Sequence, residues 1–198
     1  MTLPIVRIWI DPTCPWAWQT AKWARALRDD GVIDLEWSLF SLELQAMPDA
    51  PFDEATTRGG DALRGLALAR STGGAPAFER LYVAIGSLVH DRREPISPDI
   101  VRAAAVDAGM DGVVQGALAD GRCADEVAAE FAGAHREGVF GVPTISIDGT
   151  KPLFGPVFAA APPDPAERAA MFEHVRWLAQ RGDFFELKRL RDRRPGAA

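Results

Sequence analysis

The chain has 198 residues, enough for one globular domain or a core domain carrying a sizeable insertion. Its 47% hydrophobic and 25% charged residues match an ordinary folded protein and argue against disorder. A net charge of −6, with acids spread along the chain, argues against a nucleic-acid footprint, which needs clustered positive charge. No run approaches the roughly 18 apolar residues of a membrane span. Met1-Thr2-Leu3-Pro4 lacks the basic start and apolar stretch of a signal peptide. Two cysteines, Cys14 and Cys123, are too few for a disulfide scaffold and fit a reducing compartment, so the expected location is cytoplasmic.

Pro4 to Ile10 (PIVRIWI) is β-branched-rich and apolar on both faces, as in a strand buried within a sheet. Asp11 to Thr13 make a turn, and Pro15 suits a first helical turn, where its missing N–H has no partner to lose. Thr20, Trp23, Ala24 and Leu27 then recur at helical spacing, and Asp30-Gly31 closes the helix. Leu35, Trp37 and Leu39 alternate with Glu36, Ser38 and Phe40, which predicts a second strand and a βαβ unit.

From about Asp53 to Glu137 helical patches are broken at Gly73-Gly74, Glu94 to Pro98, Gly109 and Gly121. The expected inward faces are Leu63, Leu66, Ala67 and Arg70; Phe78, Leu81, Tyr82 and Ile85; Ile100, Ala103, Ala104 and Val106; and Val127, Phe131 and Ala134. Thr144 to Asp148 is another short strand, and Asp148-Gly149 a hairpin signal before Pro152-Leu153-Phe154. Pro165 to Gln180 predicts a helix with Ala169, Phe172, Val175 and Leu178 or Ala179 inward, and residues 183–190 a further short one. Arg191 to Ala198 read as a frayed polar tail.

Cys14 is the residue most suited to chemistry. A thiolate is the nucleophile, and a helix N-terminus favours it through unpaired N–H groups and the macrodipole. Trp16 offers an apolar wall for a flat substrate, while Trp18 is expected in the core. Val142-Pro143 enters a strand with a residue that cannot donate a ladder hydrogen bond, so special backbone geometry is expected there. His90, His135 and His174 are too isolated for a metal site, and no Cys/His cluster has zinc spacing. The basic run Lys188 to Arg194 reads as a solvated helix face.

Cys14-Pro15-Trp16, Gly141-Val142-Pro143-Thr144 and the order βαβ, helices, ββα together resemble the DsbA-like branch of the thioredoxin fold, over nearly the whole chain. Leu81 to Gly86 with His90, Phe154-Gly155-Pro156-Val157 and Phe185 to Arg189 are similar to the mycothiol-dependent nitroreductase group. The resemblance implies an α/β thioredoxin-like domain of residues 1–52 and 138–198, with an all-helical domain of 53–137 inserted. It also implies that the proline matching Pro143 is cis and faces the cysteine, and that the backbone at Val142 binds a thiol's chain. The site it implies comprises Cys14 as catalytic residue and Pro15, Trp16, Val142 and Pro143 as thiol- or substrate-binding residues.

Two departures stand out. The family motif is generally Cys-Pro-Trp-Cys, where this chain has Ala17, and nitroreductase members often carry Thr where it has Val142. A second thiol resolves the mixed disulfide in two-cysteine sites; here the resolving sulfur must come from outside or from Cys123. If residues 123–137 form a helix, its fourteen steps of 1.5 Å put Cys123 about 20 Å from the Pro143 loop. A disulfide needs Cα atoms within about 7 Å, so Cys123 is expected to be structural.

The leading expectation is a thiol-dependent oxidoreductase with Cys14 as thiolate and no tightly bound cofactor. By resemblance its cosubstrate is a low-molecular-weight thiol such as mycothiol. Its substrate is then a small electrophile, a nitro-aromatic or a mixed disulfide. One alternative is a kappa-type glutathione transferase or isomerase, whose members carry Ser at the Cys14 position and activate the cosubstrate's thiol. Another is a non-enzymatic thioredoxin-fold binding module. None of the three needs a metal, nucleic acid or membrane.

Overall fold

The computed structural model describes residues 2–46, 58–112, 114–115 and 123–196. The expected start of the helical insertion at Asp53 and the break at Gly121 lie outside the described residues. The elements run β1 (Ile5–Ile10), α1 (Pro15–Asp29), β2 (Asp34–Leu39), α2 (Leu42–Ala46), α3 (Gly60–Gly86), α4 (Pro98–Asp107), α5 (Ala124–Arg136), β3 (Thr144–Ile147), β4 (Leu153–Phe154) and α6 (Pro165–Ala179). Among the described residues no helix is long and apolar enough to cross a membrane.

The chain divides into two compact units. The first is Met1–Ile10, Cys14–Ser38 and Ala134–Ala198; the second is Asp11–Thr13 and Leu39–Gly133. The first holds a four-stranded sheet in the order β2-β1-β3-β4, with α1 and α6. Val6, Ile8, Trp9 and Ile10 of β1 are completely buried, which accounts for its apolar residues on both faces. β3 runs antiparallel to β1, pairing Val6 with Ile147, Ile8 with Ile145 and Trp9 with Thr144. Trp23 of α1 lies with its ring 5.3 Å from Phe158 and 6.3 Å from Phe172 of α6, forming the aromatic centre of this unit.

The hairpin between β3 and β4 turns at Asp148 and Gly149, both at positive φ (51° and 76°), with Thr150 N donating to Ile147 O at 3.0 Å. Two successive positive-φ residues suit a hairpin turn, and Asp tolerates that region better than most side chains. Asp148 also holds the start of β1: its Oδ1 accepts Ile5 N–H at 2.9 Å and its own N–H donates to Ile5 O at 2.9 Å.

The second unit is helical. Phe78, Leu81, Tyr82 and Ile85 are buried along α3, as are Leu63, Leu66 and Ala67. The helix axis breaks at Gly74, whose φ of 68° places it in the left-handed region. Ser97 caps α4 by accepting Ile100 N–H at 3.3 Å. The inward face of α4 differs from the expected one: Val101, Ala104 and Ala105 are buried, while Val106 is 59% exposed. The inward face is shifted by one residue, and Val101 packs beside Gly65 of α3, its Cγ1 at an ordinary contact distance of 3.7 Å from where a Cβ would stand.

The expected helix over 183–190 is also absent. That segment is irregular, with Phe185, Leu187 and Leu190 at 84%, 85% and 93% exposure. Eight residues are too few to hold a helix without a surface to bury its apolar face.

The Asp148 clamp generates a stability prediction. Asp148→Ala removes the acceptor for Ile5 and puts Ala at positive φ, so it is expected to cost about 1–2 kcal/mol. Asp148→Asn keeps the acceptor and the tolerance of that backbone region and is expected to cost less than half as much. Urea denaturation midpoints measure both, and equal losses would contradict the clamp.

Candidate functional site

The antiparallel register brings two distant segments together. Pairing Trp9 with Thr144 sets the end of β1 beside the start of β3. The residues that follow β1 into α1 therefore lie near those that precede β3. Cys14 is the N-cap of α1, with extended backbone (φ −91°, ψ 109°) and Pro15 at the first helical position.

A capping side chain is aimed at the orphan N–H groups of the first turn. Here the group is sulfur: Cys14 Sγ accepts Ala17 N–H at 3.4 Å. In the thiol form Sγ–H donates to the Val142 carbonyl oxygen at 3.7 Å. Cys14 is 6% and Val142 5% exposed. The sulfur thus takes the place of the oxygen that usually caps a helix N-terminus.

The Val142 loop is tied down on both sides. The Val142–Pro143 peptide is cis, and Pro143 O accepts Gly155 N–H at 2.8 Å. Thr144 Oγ1 donates to Gly141 O at 2.7 Å. Gly155–Pro156 is a second cis peptide, and Pro156 O accepts Thr20 Oγ1–H of α1 at 2.6 Å. A Cβ on Gly141 would approach the Phe154 ring to 3.3 Å, so the loop backbone lies close against β4. Trp16 is half-buried in the first turn of α1, while Trp18 is buried at 1% exposure with Lys22 Nζ 5.1 Å from its ring. Cys14, Pro15, Trp16, Val142 and Pro143 thus all belong to the first unit, and the Cys14–Val142 contact joins two of its three segments. Cys123 precedes α5 in the second unit at φ 67°, and neither cysteine forms a disulfide.

The model of the Rv2466c-like family, described as mycothiol-dependent nitroreductase Rv2466c, matches residues 13–189. The chain belongs to this family. A relative from Mycobacterium tuberculosis, the uncharacterized protein Rv2286c, is 35% identical over 161 residues, which span 79% of this chain and 69% of the relative. Among solved structures, a probable DsbA oxidoreductase from Streptomyces coelicolor, SCO1869, superposes with a TM-score of 0.62 at 22% identity, covering 96% of this chain and 94% of that one. The disulfide bond oxidoreductase DsbG of Mycobacterium tuberculosis superposes with a TM-score of 0.57 at 17% identity, covering 87% of this chain and 77% of that one. These likenesses establish the DsbA-like thioredoxin fold with its helical insertion. Family and fold together make the protein a thiol oxidoreductase.

Several residues of this family member escape sequence reasoning. Arg191 to Gly196 are not frayed and the basic run is not a helix face. The Arg191 guanidinium lies 4.6 Å from the centre of the Trp16 ring, and Gly196 N donates to Ala159 O at 2.7 Å. The apolar run before Arg191 hid this, because it reads as a helix that directs the basic residues to solvent.

In the second unit, Asp11 is a buried carboxylate that organises the turn before Cys14. Its Oδ1 accepts Thr13 N–H and Oγ1–H, both at 2.7 Å, and its Oδ2 accepts Leu42 N–H at 2.8 Å. An Asp-x-Thr triplet after a buried strand was its only signal. His90 lies in the wider helical turn that follows α3, Ser87–Asp91, with Nε2 2.9 Å from Pro12 O. The same short turn is therefore gripped at Pro12 and Asp11.

Burial pushes the Asp11 carboxyl above its ordinary value of 3.8, against the opposing pull of the Leu42 and Thr13 hydrogen bonds. An acid with a raised folded-state pKa contributes most below its unfolded value and loses that contribution as pH rises through the folded one. Asp11→Ala leaves the half-buried donors of Thr13 and Leu42 without their acceptor and is expected to cost about 1–2 kcal/mol in acid. The gap in urea midpoint between the two proteins should narrow from about pH 4 to about pH 7; a gap that widens would contradict this sign.

Proposed function

We propose that Cys14 is the nucleophile of a one-thiol oxidoreductase whose second sulfur comes from a low-molecular-weight thiol, mycothiol in the family's case. The observation that carries this is the capping geometry: a sulfur takes the N–H of Ala17, the residue where a resolving cysteine would otherwise stand. In this reading the thioredoxin-like part, residues 1–52 with 138–198, supplies the thiol, and residues 53–137 are the inserted helical domain. Two cysteines without a disulfide suit the reducing cytoplasm.

The chemistry is thiol–disulfide exchange. The Cys14 thiolate attacks one sulfur of an oxidised thiol, that S–S bond breaks, and the other sulfur leaves as a thiolate that takes a proton from water. A second small thiol then attacks the mixed disulfide, restoring the Cys14 thiolate and releasing a disulfide. Reduction of an electrophile such as a nitro-aromatic consumes two thiols, which leave as one disulfide and supply two electrons. Pro15 and Trp16 flank the sulfur, and the backbone of Val142 and Pro143 holds the chain of the incoming thiol once Cys14 has lost its proton. Trp16 serves as the wall for a flat substrate.

Cys14→Ser separates this from the kappa-type alternative. With mycothiol and a nitro-aromatic or mixed-disulfide substrate, turnover is expected to fall roughly 100-fold or more while the circular dichroism spectrum is kept. Thiol-dependent conjugation that survives in Cys14→Ser would favour activation of the cosubstrate's own thiol. Absence of turnover in both proteins would favour a binding module.

A further inference from the structure

The contact between Arg191 and Trp16 points to a group that chooses the partner of the thiol. The guanidinium lies over the indole at 4.6 Å, two residues beyond Cys14. A stacked guanidinium keeps its N–H donors directed outward at its edge, where they match the two oxygens of a carboxylate. Those donors are unclaimed: among the described residues no carboxylate pairs with Arg191. Its neighbours differ. Arg193 is bonded to Asp192 at 2.9 Å, and Lys188 lies 3.7 Å from Glu186.

The segment is also anchored. Gly196 N donates to Ala159 O at 2.7 Å, and a Cβ on Gly196 would lie 3.6 Å from Gln19 Nε2, on α1 one turn beyond Trp16. Arg191 is thus held between this anchor and the indole, without a carboxylate partner among the described residues, on a chain of net charge −6.

We propose that Arg191 is a specificity-determining residue that favours a flat partner bearing a carboxylate for attack by Cys14. This rests on the reading of Cys14 as the nucleophile. The partner's ring sits along the Trp16–Arg191 wall and its carboxylate accepts from the guanidinium edge. The Cys14 thiolate attacks the nearer sulfur of an aromatic disulfide; the S–S bond breaks, an aryl thiolate leaves, and Cys14 is oxidised to the mixed disulfide. A neutral partner of the same shape loses the charge-assisted hydrogen bond and gains nothing in return.

The test uses the full chain in a Cys123→Ser background, so that one thiol reports. Its probes are dithiodibenzoate and the uncharged dithiodibenzamide, which share a shape and differ in charge. The readout is the ratio of the two second-order rates of aryl thiol release at low salt. Arg191→Ala is expected to lower the carboxylate-to-amide ratio about 5- to 20-fold, and Arg191→Lys to fall between. Arg194→Ala removes the same net charge a few residues away and is expected to shift the ratio less than about twofold. An unchanged ratio in Arg191→Ala, or an equal fall in Arg194→Ala, would overturn the inference and leave the nucleophile reading intact. Release that persists in Cys14→Ser would overturn both.

Discussion

The arrangement depends on the antiparallel register of β1 against β3. With Trp9 opposite Thr144, the turn that follows β1 and the loop that precedes β3 emerge at the same end of the sheet, and Cys14 Sγ meets the Val142 carbonyl at 3.7 Å. Side-chain alternation does little to fix that register, because Thr144 to Ile147 are buried on both faces. The pin sits at the other end, where Asp148 bonds Ile5 through both its side chain and its N–H. A one-residue slip would break both bonds and carry the Val142 carbonyl about 3.3 Å along the strand, out of reach of the sulfur.

In the proposed chemistry, capping and reactivity share one atom at Cys14. An oxygen-bearing cap serves the helix alone, whereas a sulfur there also presents a polarizable nucleophile to the dipole it satisfies. Ala17 contributes to both aspects. Its N–H holds the sulfur at 3.4 Å, and its small, fully buried side chain leaves no second thiol in the first turn. The proposed one-thiol chemistry follows from that pairing, since an attack product at Cys14 has no neighbour to release it.

Most of the frame was legible in the sequence because its signals are local. A both-face apolar strand, Pro15 after a short turn, Asp148-Gly149 and the helical spacing of Phe78 to Ile85 each report on their own segment. The Cys14–Val142 pairing was reached through resemblance, since residues 128 positions apart carry no local signal of contact. Where local reading failed, a partner decided the outcome. α4 packs Val101 rather than Ile100 against α3, and residues 183–190 lacked the surface that would have made them a helix. Arg191 reads as a solvated charge because nothing local shows that Gly196 will bond Ala159 or that the guanidinium will lie over Trp16. Asp11 was read as turn punctuation because nothing in an Asp-x-Thr triplet shows that its carboxylate will be buried against Leu42.

The central claim is that Cys14 takes a small thiol covalently and depends on a second one to let it go. Intact-mass spectrometry after incubation with oxidised mycothiol tests it most directly. The account predicts one adduct per chain, mapped to Cys14, stable until reduced mycothiol is added and then lost. An unmodified Cys14, or an adduct that disappears as an internal bond to Cys123 forms, would contradict it.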